Sequence, residues 1–470
     1  MHETSQPIEL LLSVHRDGAG TLGGQIEEHL RGAIRDGALH AGARVPSTRD
    51  LAHQLGVSRR VVVDAYAQLA AEGYLTLRQG ARPHVAEGAA AVAGAVEAAA
   101  PAPERPPRFD FRPSVPDVST FPRAAWLRSY RSVLGEVADA ELGYGDPRGV
   151  DALRATLAEY LGRVRGVVAD PARVVVTSGF TQALGIICHA LAGTGARRLA
   201  LEDPGDPEAQ LIARRAGLEP VPVPVDEHGI VVSELARADA DLVILTPAHQ
   251  HPTGVVLSGE RRNALLAWVR ERDALVIEDD YDAEYRYDRA AVGALQGLEP
   301  DRVVYAGTAS KTLAPALRLG WLVVPSRLVD TVRTQKALAD RGTARVEQHA
   351  FDDFLRRGEL DRHLRRMRVR YRARRDAVVE ALATALPDAT VRGIAAGLHA
   401  TVELPRGHDA AAVREEAASR RILVETIDEY RHVPAGGPPT LLLGYAKLPE
   451  PAIHAGIAEL ADAVRAAAAR

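Results

Sequence analysis

The chain has 470 residues, 46% hydrophobic and 26% charged, and its 58 basic and 62 acidic side chains leave a net charge of -4. That length can bury more than one core, and the composition excludes a disordered, collagenous or coiled-coil chain overall. No run of 18 apolar residues could span a membrane, residues 1–14 lack the basic start of a secretory signal, and the lone Cys188 rules out a disulfide framework or a multi-cysteine metal site. A cytoplasmic protein with no membrane contact and no metal is expected.

In chain order, apolar residues at Leu22, Ile26, Leu30, Ala33 and Ile34 recur with a helical period, and Gly37 and Gly42 end that element. Pro46-Ser47-Thr48-Arg49-Asp50 predicts a second helix capped by Ser47, with Asp50 as a carboxylate variant of the capping box and Gly56 as its stop. Ser58 caps a third, with Val62, Tyr66 and Leu69 on one face. Two short helices joined at Gly56-Val57 form a helix-turn-helix, and residues 74–77 and 84–85 around Gly80 read as a hairpin wing. The amino end of the second helix of such a pair reads the major groove, and here it offers Arg59 and Arg60. Residues 1–85 carry nine basic and nine acidic side chains, yet residues 44–82 carry six arginines against three acids, so the basic charge is local. The alternative is a small three-helix interaction module with solvated arginines.

Leu51-Ala-His-Gln-Leu-Gly-Val-Ser-Arg-Arg60, with Ala65-Tyr66 and Ala71-Glu-Gly-Tyr-Leu75, closely resembles the winged-helix DNA-binding domain of GntR-type transcription regulators. The resemblance implies that Arg49, Ser58, Arg59 and Arg60 face operator double-stranded DNA. The wing departs from the family's Gly-Thr-Phe-Val ending with Gly80-Ala-Arg82-Pro-His-Val85, which leaves Arg82 as its candidate minor-groove contact.

Residues 86–108 hold ten alanines and four prolines among 23 residues and no large apolar side chain, the composition of an inter-domain linker. Domains are therefore expected at 1–85 and 109–470, the latter with a smaller C-terminal α+β subdomain from about residue 330.

The apolar runs 173–177, 241–245, 274–277 and 302–306, with helical stretches between them, predict an α/β domain with a parallel sheet, whose ligands sit beyond the carboxyl ends of the strands. After the first run, Thr177-Ser-Gly179-Phe180 opens a helix, where free N–H groups favour a phosphate. Glu278, Asp279, Asp280, Tyr281, Asp282 and Glu284 follow the third, a set of acids that demands a cation. Thr308, Ser310 and Lys311 follow the fourth, with Arg318 beyond. Only three lysines exist, Lys311, Lys336 and Lys447, and Lys311 alone has acids and a phosphate turn placed beside it. An amine, a carboxylate and a phosphate turn together suit pyridoxal 5'-phosphate; the alternative is a solvated Lys–Asp surface network.

Glu278-Asp-Asp-Tyr-Asp-Ala-Glu-Tyr-Arg-Tyr287, Ser310-Lys-Thr-Leu-Ala-Pro315, Leu319-Gly-Trp321 and Tyr144-Gly-Asp-Pro-Arg-Gly149 resemble a fold-type-I aminotransferase domain. Head, linker and domain together resemble the MocR/GabR-type regulators over essentially the whole chain. The resemblance implies Lys311 as the Schiff-base lysine, Asp279 on the pyridinium nitrogen and Tyr281 on the phenolic oxygen. Gly179, Phe180, Thr308, Ser310 and Arg318 would meet the phosphate, and Tyr144 that of the partner subunit in a head-to-tail, domain-swapped homodimer. Three departures stand out. His251 occupies the position of an asparagine, Asp206 that of a stacking aromatic, and Thr440 that of the arginine holding a substrate carboxylate, with Arg431 nearby as a possible substitute. For His249 and His251 the alternative is simple loop packing, and a His-x-His pair alone makes no metal site. A regulator sensing the cofactor itself is expected, ahead of one sensing an amino acid or amine through it and of a true aminotransferase with an accessory head.

Overall fold

The computed structural model describes residues 12–17, 20–78, 80–88, 106–287, 292–393, 396–434 and 436–468. They fall into two compact units that divide between residues 104 and 105. Most of the expected linker, 89–105, lies outside the described residues.

The first unit holds helices α1 (Leu22–Arg35), α2 (Thr48–Leu55) and α3 (Arg59–Ala71) and a hairpin of β1 (Leu75–Thr76) and β2 (His84–Val85). The caps form where the sequence places them. Ser47 Oγ accepts from the Asp50 N–H, and Ser58 Oγ accepts from the Val61 N–H. Asp50 does not complete a capping box, because its carboxylate takes the Ser47 hydroxyl, 2.7 Å away, instead of the cap's backbone N–H. Gly56 ends α2 at a φ of 62°, a left-handed conformation that glycine adopts at little cost. The apolar faces of the three helices meet in one core of Ile26, Leu30, Ile34, Leu51, Val62, Tyr66 and Leu69, closed below by Leu75 and Val85.

The second unit opens with β3 (Phe109–Asp110) and is built on an eight-stranded sheet. Its strands are β4 (Val174–Thr177), β5 (Arg198–Asp203), β6 (Glu219–Asp226), β7 (Gly229–Ile230), β8 (Leu242–Leu245), β9 (Leu275–Asp280), β10 (Val303–Thr308) and β11 (Gly320–Val323), ordered β4-β11-β10-β9-β8-β5-β6-β7. The sheet is mixed and not parallel throughout: β11 runs antiparallel to both β10 and β4, and β7 is antiparallel to β6. The interior strands are covered on both faces, as their nearly continuous apolar runs require. Along β9, Leu275 and Ile277 enter one core while Val276 enters the opposite one. Within this sheet β4, β5, β8, β9 and β10 all end at the same edge, which gathers the segments carrying the site.

A second antiparallel sheet, of Thr390–Arg392, His399–Glu403, Thr440–Gly444 and Glu425–Thr426, packs with the helices Glu359–Ala385 and Glu450–Ala468. Phe109–Asp110 pairs in parallel with Ile422–Leu423, so this C-terminal part also takes in the start of the unit, which the boundary near residue 330 does not foresee. No helix among the described residues is long and apolar enough to cross a membrane.

Candidate functional site

In the first unit the expected DNA-facing residues share one surface character. Arg49, on the first turn of α2, Ser58, Arg59 and Arg60 at the start of α3, and Arg82 before β2 are all exposed. Arg59 Nε reaches Thr48 Oγ1 at 3.4 Å, a weak contact. Arg60 lies 3.8 Å from Asp64, with side chains 90% and 69% exposed, and such a pair is worth little in water. Both guanidinium groups are therefore available to bases or phosphates. Ser58 spends one lone pair on its cap and stands exposed beside them.

In the second unit a cavity of about 590 Å³ opens at the strand ends. Of the site residues expected there, Phe180, His251, Asp279, Tyr281, Thr308, Ser310, Lys311 and Arg318 line it. Gly179 caps the helix Phe180–Gly193 at a φ of 93°. A Cβ at Gly179 would lie 3.0 Å from Arg318 Nη2, so the glycine makes room for the guanidinium, which donates to the Ser178 carbonyl. Lys336 is fully buried behind this turn. It pairs with Asp340, which accepts from Gln182, whose Oε1 in turn accepts the Ser178 N–H at 2.7 Å. Lys447 is paired with Asp110 at 2.6 Å. Lys311 is the one lysine on the cavity, donating to the Ser114 carbonyl at 2.6 Å, and burial lowers its amine pKa against the pull of Asp279 and Asp282.

Three of the acids at the end of β9 and just beyond it are answered singly. Glu278 accepts the Leu295 and Gln296 N–H groups, Asp280 pairs with Arg165 at 2.6 Å with both side chains 2% exposed, and Asp282 lies 2.9 Å from His249 Nδ1. Asp279 faces the cavity with a buried Oδ1 that has no hydrogen-bond partner. Burial, with Asp206 and Asp280 nearby, holds its pKa well above the ordinary carboxylate range. A cationic donor placed against that oxygen would both satisfy it and favour the ionised form. His251 lies edge-on to Tyr281 and Tyr430, its Nδ1 likewise without a partner, and burial keeps the ring neutral by pushing its pKa well below the usual value.

Three expected residues lie elsewhere. Tyr144 is 87% exposed, with Arg341 over its ring at 5.7 Å, and does not reach this chain's cavity. Thr440 is buried in its strand and donates to the Pro438 carbonyl. Arg431 turns its Nε to Asp428 at 3.1 Å and does not line the cavity. Asp206 does line it, as the cap of the helix Pro207–Arg215. The reading of the residues misses Ser114 and a whole wall made by Glu425, Glu429, Tyr430 and His432. That wall is fastened by Gly205 N–H donating to the Tyr430 carbonyl and His432 N–H donating to Asp203 Oδ1. No local pattern signals it, because both partners are brought in by tertiary structure.

The residues present fit pyridoxal phosphate: an amine of lowered pKa, an unanswered buried carboxylate, and a glycine-capped helix start backed by Arg318.

Residues 22–85 match the gntR family of bacterial regulatory proteins, and residues 134–440 match aminotransferase class I and II. The chain is 32% identical to the HTH-type pyridoxine biosynthesis transcriptional regulator PdxR of Corynebacterium glutamicum over 446 residues, covering 94% of this chain and 95% of that protein. It is 36% identical to the probable rhizopine catabolism regulatory protein MocR of Rhizobium meliloti, covering 78% of each. Among solved structures, the alpha-aminoadipate aminotransferase LysN of Thermus thermophilus, complexed with N-(5'-phosphopyridoxyl)-L-leucine, matches with a TM-score of 0.69 at 26% identity, over 77% of this chain and 93% of that one. A GntR winged-helix head followed by an aminotransferase-like domain, together with these two relatives, places the chain in the MocR/GabR-type family of transcriptional regulators.

Proposed function

We propose that this regulator binds operator DNA through its head, binds pyridoxal phosphate at Lys311, and responds to that cofactor as its signal, without turning over substrates. When bound, pyridoxal phosphate supplies an aldehyde for an amine and an electron-withdrawing ring. Lys311 provides the amine, Asp279 the carboxylate for the ring nitrogen, and Gly179, Phe180, Thr308, Ser310 and Arg318 the phosphate seat. The name of the Corynebacterium relative ties that protein to pyridoxine biosynthesis, in keeping with a role for this chain in vitamin B6 metabolism.

The observation that carries the reading is the charge on the cavity wall. Among the described residues Arg318 is the one arginine lining it, and it is held at the phosphate turn, while Thr440 and Arg431 do not line it. Asp206, Glu208, Glu425 and Glu429 line the rest. Among the described residues an α-amino acid therefore finds no clamp for its carboxylate, which argues against the positioning that transamination depends on. The same acids favour a cationic amine over an amino acid, which makes an amine-responsive regulator the second reading.

The domain limits 1–85, 86–108 and 109–470, a cytoplasmic location and a head-to-tail, domain-swapped homodimer belong to this proposal, with Tyr144 serving the partner subunit's phosphate. Leu127 and Leu134 of the helix Arg123–Glu136, with Leu142 and Tyr144, stand 47–87% exposed, an apolar strip suited to a second copy. The test is a spectral titration of the purified protein with pyridoxal phosphate and a panel of amino acids and amines, run beside an operator-shift assay. Pyridoxal phosphate alone should alter the shift, and amino acids should leave the spectrum nearly unchanged. Multiple turnovers with any amino acid and 2-oxo acid pair would establish an enzyme instead, and a spectral response to an amine without turnover would establish the second reading.

A further inference from the structure

Behind Tyr281, away from the cavity mouth, lies a buried group with no part in the proposal above. His249 Nδ1 stands 2.9 Å from Asp282 Oδ2 and 3.1 Å from the Tyr281 hydroxyl oxygen. The His249 and Asp282 side chains are 3% and 1% exposed. The backbone presses the pair together: Gly397 has a φ of 70°, and a Cβ there would fall 2.3 Å from His249 Cε1 and 2.6 Å from Asp282 Oδ2. The His399 ring packs on His249 with centroids 5.4 Å apart, and its Nε2 is fixed at 3.0 Å from the Pro252 carbonyl. Gly397, Gly254 and the His399 ring thus close on the imidazole.

The chemistry of the three groups then settles which way the hydrogens run. An ionised carboxylate only accepts, so the hydrogen in the His249–Asp282 contact belongs to Nδ1. A protonated Nδ1 has no lone pair, so Tyr281 cannot donate to it, and its oxygen can only share the hydrogen that Nδ1 already carries. Tyr281 keeps its own hydrogen, with two outlets: the Asp282 carboxylate or the cavity that the side chain lines. We propose that His249 is the positioning residue of Tyr281: its Nδ1–H, lying between Asp282 Oδ2 and the Tyr281 oxygen, supplies that oxygen with a donor and fixes it where its own hydrogen can turn to the cavity. This rests on the pyridoxal-phosphate reading, in which Tyr281 serves the phenolic oxygen; His249 itself touches no ligand and acts through Tyr281.

Two measurements test it. In cofactor-free protein, nitrogen-15 NMR of the wild type should show the His249 ring with hydrogen on Nδ1, and Asp282→Asn should abolish that preference. Hydrogen on Nε2 alone in the wild type would overturn the proposal whatever becomes of the cofactor. In cofactor-loaded protein, Tyr281→Phe marks the spectrum and affinity of a site without the hydroxyl donor. His249→Phe should reproduce that spectral change and weaken cofactor binding about tenfold, the loss of one hydrogen bond. His249→Asn, which keeps an N–H near the same point, should restore most of both. His249→Phe should add nothing on top of Tyr281→Phe, since both remove the same interaction. Equal effects of His249→Phe with and without the Tyr281 hydroxyl, or no spectral change at all, would reduce His249 to loop packing. Failure of the wild type to bind pyridoxal phosphate would sink the cofactor reading and leave the NMR result to decide the hydrogen-bond chain by itself.

Discussion

Ser58, Arg59 and Arg60 stand on a single turn of α3, and Arg49 lies on the helix just before it. Lys311, by contrast, donates to Ser114, 197 positions earlier, and shares its cavity with Tyr430 and His432. The reading face is a local product of caps, one αL glycine and a helical period. The cavity is a product of topology, in which strands distant in sequence end side by side. Local construction tolerates loss of one member, because the helix still presents the rest. A site assembled from many segments loses its chemistry when one irreplaceable group goes, even though the surrounding fold persists.

Lys311→Ala is the sharpest way to separate the two regions. It should abolish the yellow absorbance of the lysine-bound cofactor, while circular dichroism and the salt dependence of operator binding stay those of the wild type. A colourless wild type after added pyridoxal phosphate would refute the cofactor assignment outright.

Glu202 carries the next largest effect, and it acts through pH. Buried at the end of β5, where it accepts from the Thr246 N–H and hydroxyl, its carboxyl is pushed up by burial to about 7. The folded state therefore holds a proton that the unfolded chain releases near its ordinary pKa of about 4.5. The stabilisation is fully present below that lower value and is lost as pH rises through about 7. Urea unfolding at pH 5 and pH 8 should show the wild type losing about 2.5 kcal/mol more than Glu202→Gln over that interval. Equal losses in the two proteins would show that Glu202 is ionised throughout.

Replacing Arg59 or Arg60 by alanine should cost about 1–3 kcal/mol in operator binding, with a shallower salt dependence where the contact is to phosphate, and should leave the cofactor spectrum unmoved. Binding indifferent to both arginines and to salt would remove the winged-helix interface. The smallest effect belongs to the core of the head. Tyr66 is fully buried and donates from its hydroxyl to the Pro46 carbonyl at 2.9 Å. Tyr66→Phe leaves that carbonyl short of a partner and should lower protection of α2 and α3 amides in hydrogen exchange by about 1 kcal/mol, with β9 and β10 unaffected.

Sequence served the two regions unequally. In the head, Ser47, Gly56 and Ser58 announce their own helix ends, and Val62, Tyr66 and Leu69 announce the buried face, because the determinants are within a few residues of what they determine. The hairpin ladder is shorter than its apolar run suggests, pairing Leu75 with Val85 and Thr76 with His84. In the large unit the strand ends and the residues after them are readable, since buried strands leave continuous apolar runs. The antiparallel β11 is not: Gly320-Trp-Leu-Val has the same composition in either direction, and only its pairing with β10 and β4 sets its sense. Arg431 illustrates the limit best. Its position in the sequence offers a carboxylate clamp, but Asp428, three residues earlier, captures its guanidinium.

The bonds from Gly205 to Tyr430 and from His432 to Asp203 join residues 225 and 229 positions apart across the cavity wall. Any molecule seated between them is held by both, so release of the 425–433 segment has to break its contacts as well. Ligand binding thus enters the opening equilibrium by mass action, and a site filled at one hundred times its dissociation constant resists opening by about 2.7 kcal/mol more than an empty one. Proteolytic nicking of that segment should slow about a hundredfold on saturation, which gives a measure of occupancy that needs neither colour nor DNA.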